Sequence, residues 1–533
     1  MLWKPPQRNW VVLIVLLGSH ACSHPPGAAV ISPARMPRLA TVEDRFQSFN
    51  VEMVEVTGGR FWKPYREIEG VLKTEESSKQ AAAVPAGMNP ELYQYRPPID
   101  LTNKKLRKLA AALAPSYLRV SGTWANSTYF YNADTTAPAK PPAGFNGILT
   151  RSQWKGVMQF SEATGAKLIT SFATSAGTRD AKGLWTPVEA EKLLSYTASL
   201  GGSIAAAEFM NEPTLAVMGG APKGYDAAAY GRDLAVFRPY LKKTSPSVLL
   251  LGPGSVGEGL PLGDALIPSG MSFLKSADLL AAAGPGFDAF SYHFYGAVSA
   301  RCASLGAGST TKIDAALTNE WLSRTDQAEA FYQDLRDRFE PGKPIWITET
   351  ADAACGGNRW ASTFVDSFRY LDQLGRMARR GVQVVAHNTL ASSDYGLLDE
   401  NTLDPRPNYW AALLWRSLMG NTVLEAGPSP ASGLHLYAHC LRGQPGGVAL
   451  LVINTNRTAT QALEFGTASD RYSLTAKRLD SSSIALNGAE LRLESGDLVP
   501  TLMATPVVAG PQSFAPASIT FLAIPAANNS SCR

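Results

Sequence analysis

Two short segments, A-A-E-F-M-N-E-P at 206–213 and K-P-I-W-I-T-E-T at 343–350, each carry a carboxylate at the end of an apolar run. Glu212 sits between an asparagine and a proline, and Glu349 closes a run of β-branched and aromatic residues. A buried acid without a partner is expensive, so each needs a function or a counter-charge. A single glutamate at a strand end is more often a structural hydrogen-bonding group. Two of them, ending two different buried strands, are the minimum machinery for breaking a glycosidic bond. One carboxyl protonates the leaving oxygen while the other attacks or activates water.

Other strand ends offer groups to support such a pair. His293 and Tyr295, in S-Y-H-F-Y, alternate and therefore point the same way. A tyrosine hydroxyl there could hold the attacking carboxylate ionised and oriented, whereas His293 taken alone fits a satisfied core histidine equally well. Asn211, beside the first acid, can donate to a sugar hydroxyl. Glu52 and Thr123, at the ends of earlier strand candidates, could read further hydroxyls. Gly356-Gly357 offers backbone N–H groups to an anion, although spacing alone reads as a turn.

These residues need a scaffold that gathers strand ends. Eight β-rich apolar segments recur, at 48–54, 117–121, 167–172, 204–210, 248–252, 289–295, 345–349 and 382–387. Helix-like stretches separate them, at 101–113, 151–164, 187–200, 227–241, 327–339 and 361–380. That alternation predicts an α/β fold, a parallel (β/α)8 TIM barrel, whose active groups lie where the strands end. Glu212 then ends the fourth strand and Glu349 the seventh. A doubly wound open sheet is the weaker alternative, since no G-x-G-x-x-G follows the first strand. The segment 407–419 reads as the last barrel helix, after which short alternating runs broken by Gly, Pro, Asn and Ser predict a C-terminal all-β sandwich. The expected domains are a leader at 1–21, a tether at 22–44 that could lend one strand to the sandwich, the barrel at 45–420 and the sandwich at 421–533.

The chain has 533 residues, 45% hydrophobic and only 18% charged, against a globular average of about 25% charged. That composition excludes a disordered chain and is not that of a nucleic-acid binder. The net charge of +4 is compatible with an anionic substrate. The basic clusters K-K-L-R-K (104–108) and R-M-A-R-R (376–380) read as solvated helix faces. Lys4 and Arg8 followed by an apolar stretch from Trp10 to Leu17 read as an export signal, too short to span a bilayer. Cys22 would allow a lipoprotein anchor, but the preceding residues match that signal poorly, so a soluble periplasmic or secreted protein without a transmembrane segment is expected. The four later cysteines allow three pairings. Their placement favours Cys302–Cys355, after neighbouring barrel strands, and Cys440–Cys532, both in the C-terminal module. The absence of C-x-x-C or close His/Cys spacing argues against zinc.

The stretch I-W-I-T-E-T-A-D-A-A-C-G-G, followed by R-Y-L-D-Q-L-G and D-Y-G-L-L-D-E-N-T-L-D-P-R-P-N-Y-W, resembles glycoside hydrolase family 79, which contains heparanases and β-glucuronidases. S-F-N-V-E-M-V-E-V, L-R-V-S-G-T and F-M-N-E-P resemble it too, so the likeness runs through about residues 45–420. The resemblance implies retention through a covalent glycosyl-enzyme, with Glu212 as acid/base and Glu349 as nucleophile. It implies a supporting shell of Asn211, His293 and Tyr295. Tyr395 and the Gly356-Gly357 backbone would hold the uronate carboxylate, and Glu52 and Thr123 would contact hydroxyls. The loop after Glu349 is one residue longer than in the animal enzyme, which could move the Gly-Gly assignment by one. The short region at 124–150 implies an active single chain. The implied substrate is an anionic, uronate-containing oligo- or polysaccharide, cut by endo-β-glucuronidase action on heparan sulfate-like chains. Exo-β-glucuronidase action and a non-catalytic carbohydrate-binding role are the alternatives. No metal or organic cofactor, no nucleic acid and a monomer are expected.

Overall fold

A computed structural model describes Met1 and residues 28–77, 89–260, 273–305 and 311–533. The expected leader, apart from Met1, and Cys22 lie outside the described residues. Eight parallel strands close into a barrel in which each follows its sequence neighbour around the ring. They are β1 (Gln47–Glu52), β2 (Tyr117–Ser121), β3 (Lys167–Ser171), β4 (Ile204–Glu208), β5 (Leu249–Ser255), β6 (Ala289–Val298), β7 (Ile345–Ala354) and β8 (Val384–His387). The ring is shut by β8 against β1, with Val385 opposite Gln47. The strands are buried on both faces because helices cover the outside and side chains fill the inside, which is why they read as near-continuous apolar runs.

A helix follows each strand, and local sequence explains where these begin and stop. Thr150 and Gln153 form a reciprocal capping box at the start of Arg151–Thr164, and Gly165 ends that helix in the left-handed conformation. The helix after β5, Ser276–Ala283, lies in a stretch the sequence pattern had not singled out. The strand limits also differ from expectation where it matters. Strand β4 stops at Glu208, so Glu212 lies beyond it in a turn, and β7 continues past Glu349 to Ala354.

The C-terminal region forms two sheets. The larger one runs Arg38–Thr41, Met419–Leu424, Leu434–Leu441, Val448–Asn454, Ser518–Ile524 and Ser469–Thr475, continuing into shorter strands. The smaller one joins Ala29–Ile31, Gln461–Phe465 and Gly510–Phe514. Val448, Leu450 and Val452 face the core between the sheets, while the alternate Ala449, Leu451 and Ile453 join the core shared with the barrel. The segment expected as a tether therefore behaves differently from 29 onward. It supplies two strands, one parallel to Gln461–Phe465 and one antiparallel to Met419–Leu424. Disulfides join Cys302 to Cys355 and Cys440 to Cys532.

The cluster at 376–380 is not a plain solvated face. Arg376 pairs with Asp372 and Asp326, Arg379 with Glu425, and Arg380 with Asp326 and Glu329. Asp372, fully buried on the helix Phe364–Arg379, also accepts from His435 and from the Tyr437 hydroxyl across the domain boundary. Burial alone would raise its pKa, but His435, Arg376 and Tyr437 outweigh that and hold it below the usual range. A carboxyl lowered in the folded state stabilises above its unfolded pKa and loses that contribution as pH falls through the folded value. Asp372→Ala is therefore expected to destabilise by about 3 kcal/mol at neutral pH. In urea titrations that cost should shrink below about pH 4, near the unfolded carboxyl pKa.

Candidate active site

The floor of the barrel mouth is built on Arg119, the central residue of β2, whose strand is buried throughout. Its Nε and Nη2 donate to Glu208 Oε2 at 3.0 and 2.8 Å, and Nη1 donates to Glu349 Oε2 at 2.8 Å. Nη2 also reaches Asn211 Oδ1 at 2.8 Å. A guanidinium can be kept in a dry interior only with such counter-charges, and its rigid fork suits two carboxylates at once. Glu208, the last residue of β4, accepts in addition from Ser291 at 3.0 Å and Thr348 at 2.6 Å. It is consumed as the structural anion of the site.

Glu212 lies four residues beyond it, at φ 48° and ψ 63°. A side chain in this left-handed region costs of order 1–3 kcal/mol and persists only where neighbours enforce it. Asn126 enforces it. Its amide donates to the Asn211 carbonyl at 2.9 Å and its carbonyl accepts from the Asn211 N–H at 2.8 Å. The turn aims Glu212 Oε1 at His293 Nδ1, 3.1 Å away. Arg119 Nη2, which can only donate, lies 3.2 Å from His293 Nε2, so an uncharged ring would accept there and turn an Nδ1–H toward Glu212.

Glu349 is placed by a bulge. Between β6 and β7 the register slips, Tyr292 facing Ile347 and His293 facing Glu349. In a regular strand Thr348 and Glu349 would point to opposite faces. The extra residue lets Thr348 reach Glu208 while Glu349 reaches Arg119, which is how bulges re-aim side chains beside active sites. Tyr295, two residues after His293, donates to Glu349 Oε1 at 2.6 Å.

The two glutamates are driven apart electrostatically. For Glu212, burial dominates and the nearby Glu349 charge adds to it, so its pKa rises above the usual carboxyl range. For Glu349, burial pushes up as well. His293, Arg119 and the Tyr295 hydroxyl outweigh it and hold the pKa down. One acid therefore keeps its proton where the other has lost it. Activity should rise with pH as Glu349 ionises and fall as Glu212 ionises, giving a bell-shaped profile of kcat/KM. In Glu212→Gln the basic limb should vanish while the acidic limb stays. Ligand atoms of Glu212, His293 and Glu349 all lie within 4.8 Å of one another, close enough to hold a metal ion. The Arg119 guanidinium against Glu349 makes the spot unfavourable for a second cation.

The remaining sequence-derived residues divide. Glu52, Thr123, Asn211, His293, Tyr295 and Tyr395 line the same cavity as the two glutamates, a hollow of about 300 Å³. Asn388, absent from the sequence reading, ties three of these groups together. Its amide contacts Glu52 Oε1 at 3.0 Å, the Tyr295 hydroxyl at 3.1 Å and the Tyr395 hydroxyl at 3.2 Å. Glu52 has its pKa pushed well up by burial and then by Glu349. Gly122 must be glycine here, since a Cβ would fall 1.6 Å from Glu52 Oε2. Gly356 and Gly357 follow Cys355, which lines the cavity. Their carbonyls accept from Arg301, Ser393 and Tyr65, with the buried Arg301 beneath the turn. A larger hollow of about 780 Å³ lies between the helix Phe364–Arg379 and the β domain, far from both glutamates in the fold, with its arginines already ion-paired.

Residues 98–256, the span holding β2 through β5, match the model for the glycosyl hydrolase family 79 N-terminal domain. Heparanase-like protein 1 of Arabidopsis thaliana is 30% identical over 379 residues, 67% of this chain and 65% of that protein. The chain belongs to glycoside hydrolase family 79. Hyaluronoglucuronidase of Hirudo nipponia is 28% identical to this family 79 chain over 480 residues, 82% and 92% of the two chains. Heparanase of Mus musculus is 29% identical over 73% of this chain and 71% of its own. The chain spans just under two thirds of the length of heparanase-like proteins 1 and 2 of Arabidopsis thaliana, 65% and 66%. The family 79 fold is shared more widely. The 4-O-α-L-rhamnosyl-β-D-glucuronidase of Fusarium oxysporum superposes with a TM-score of 0.60 at 13% identity, over 93% of this chain and 100% of that one. A GH51 α-L-arabinofuranosidase of Thermotoga petrophila also gives 0.60 at 13%, over 93% and 99%.

Proposed function

We propose that this family 79 chain hydrolyses β-glucuronide linkages with retention of configuration. The observation that carries the proposal is the spacing of the two acids, whose oxygens come within 4.8 Å of one another. Retaining enzymes hold their carboxyl groups about 5–5.5 Å apart, whereas inverting ones leave about 6.5–9.5 Å for a water. Glu349, kept ionised by Arg119 and steadied by Tyr295, is the nucleophile. It attacks the anomeric carbon as Glu212 protonates the leaving oxygen. Glu212, now a base, takes a proton from the water that releases the sugar from Glu349. His293 keeps Glu212 oriented through both steps. Tyr395, Asn388 and Glu52 lie together on the Glu349 side and suit a uronate ring, with Thr123 beside them on the cavity wall.

Two disulfides are compatible with an oxidising compartment, and no helix among the described residues is long and apolar enough to cross a membrane. Export is part of the proposal. Endo action on a heparan sulfate-like chain and exo release of terminal glucuronate would share this same acid pair. Product analysis of heparan sulfate beside a small aryl β-glucuronide separates them. Internal cuts identify an endo-enzyme and free glucuronate alone an exo-enzyme. No turnover of either substrate would contradict the proposal.

A further inference from the structure

The side of the cavity next to Glu212, where a leaving group must sit, differs in chemistry from the Glu349 side. Leu215 and Met218 come from the loop after β4, and Val256, Leu260 and Phe273 from the region after β5. The polar exception there is Glu258, whose carboxylate accepts from the N–H and hydroxyl of Ser276. Among the described residues, none that lines the cavity is lysine or arginine. The two buried arginines nearby are already committed, Arg119 to Glu208 and Glu349, and Arg301 to Asp394 and loop carbonyls. Two cations do occur nearby: Arg60, in the adjoining hollow beyond Trp124 and Met218, donates to the Pro90 carbonyl, and the exposed Lys275 stands near Glu258 without lining the cavity.

Resting on the glucuronidase reading, we propose that the leaving-group subsite takes a flat, uncharged, apolar aglycone and turns away an anionic one, with Glu258 supplying the repulsion. An apolar pocket rewards a ring that leaves water. A sulfate or carboxylate placed there would be desolvated against a fixed carboxylate whose nearby cation, Lys275, is solvent-exposed and does not line the cavity, and such like-charge contacts are how sites reject wrong partners. Burial raises the pKa of Glu258 and outweighs the Ser276 hydrogen bonds and the Lys275 charge that lower it, with Asp278 adding to the rise. It charges more fully as pH rises, so the discrimination should strengthen from acidic toward neutral pH.

The test uses two aryl β-glucuronides that share a ring and differ by one sulfonate on it. The expected result is a kcat/KM at least about tenfold higher for the neutral substrate at low salt. The gap should narrow in Glu258→Gln. In the unmodified enzyme it should narrow when ionic strength is raised from about 0.01 M to about 1 M, where the screening length falls from about 30 Å to about 3 Å. Hydrolysis of neither substrate would sink the glucuronidase reading itself. Equal rates, preference for the sulfonate, or a gap untouched by both Glu258→Gln and salt would overturn the aglycone proposal and leave that reading standing.

Discussion

Glu349→Gln is expected to lower kcat on an aryl β-glucuronide by at least about 10⁴-fold, in keeping with the loss of other catalytic nucleophiles. Glutamine keeps the shape and can still accept from Arg119, so the loss reports chemistry and not collapse. A thermal melt within a few degrees of the unmodified protein would verify that. Glu212→Gln should behave differently. General acid catalysis is worth about 10²–10⁴-fold, and it matters least when the leaving group departs easily. The Glu212 variant should therefore lose much less on a nitrophenyl glucuronide than on an alkyl one, while the Glu349 variant loses equally on both. The reverse pattern would exchange the two roles.

Arg119 carries the second large effect, and it joins stability to chemistry. Arg119→Leu leaves Glu208 and Glu349 buried without their shared counter-ion. Breaking a buried pair from one side costs about 3–5 kcal/mol, which a urea midpoint would register. Removing the guanidinium also withdraws one of the groups that lower the Glu349 pKa. The acidic limb of the pH–rate profile should move up. Arg119→Lys keeps a charge but not the fork that spans two carboxylates, so it should recover part of the stability and little of the rate. Adding Glu208→Leu to Arg119→Leu should restore stability and leave activity low. A double variant no more stable than Arg119→Leu alone would show that Glu208 is not the anion that Arg119 neutralises.

Much of this arrangement could be read from residue order. Eight apolar segments became eight barrel strands because a strand covered on both faces has no polar face to obscure it. Glu212, Glu349, His293 and Tyr295 drew notice as polar residues at the ends of such runs. Arg119 and Glu208 are just as conspicuous in Y-L-R-V-S and A-A-A-E-F, and a charge inside a buried strand demands a partner. They went unread because each looked like a lone exception, and only the closed barrel sets β2 beside its partners from β4 and β7. The exact placement of Glu349 depends on a bulge, and that of Glu212 on a left-handed turn held by Asn126. Neither leaves a periodic trace. Asn388 joins Glu52 and Tyr295, both far from it in sequence, to Tyr395 seven residues on, so no local pattern announces it. The basic run at 376–380 shows the converse limit. Composition made it a solvated face, but its partners come from another helix and from the β domain.

The stereochemistry of the first product tests the central claim most directly. Hydrolysis of an aryl β-glucuronide followed by proton NMR in the first minutes, before mutarotation, should show β-glucuronic acid forming first and the α anomer appearing later. Initial formation of the α anomer would mean a single inverting displacement, and Glu349 could not then be the covalent nucleophile that its closeness to Glu212 implies.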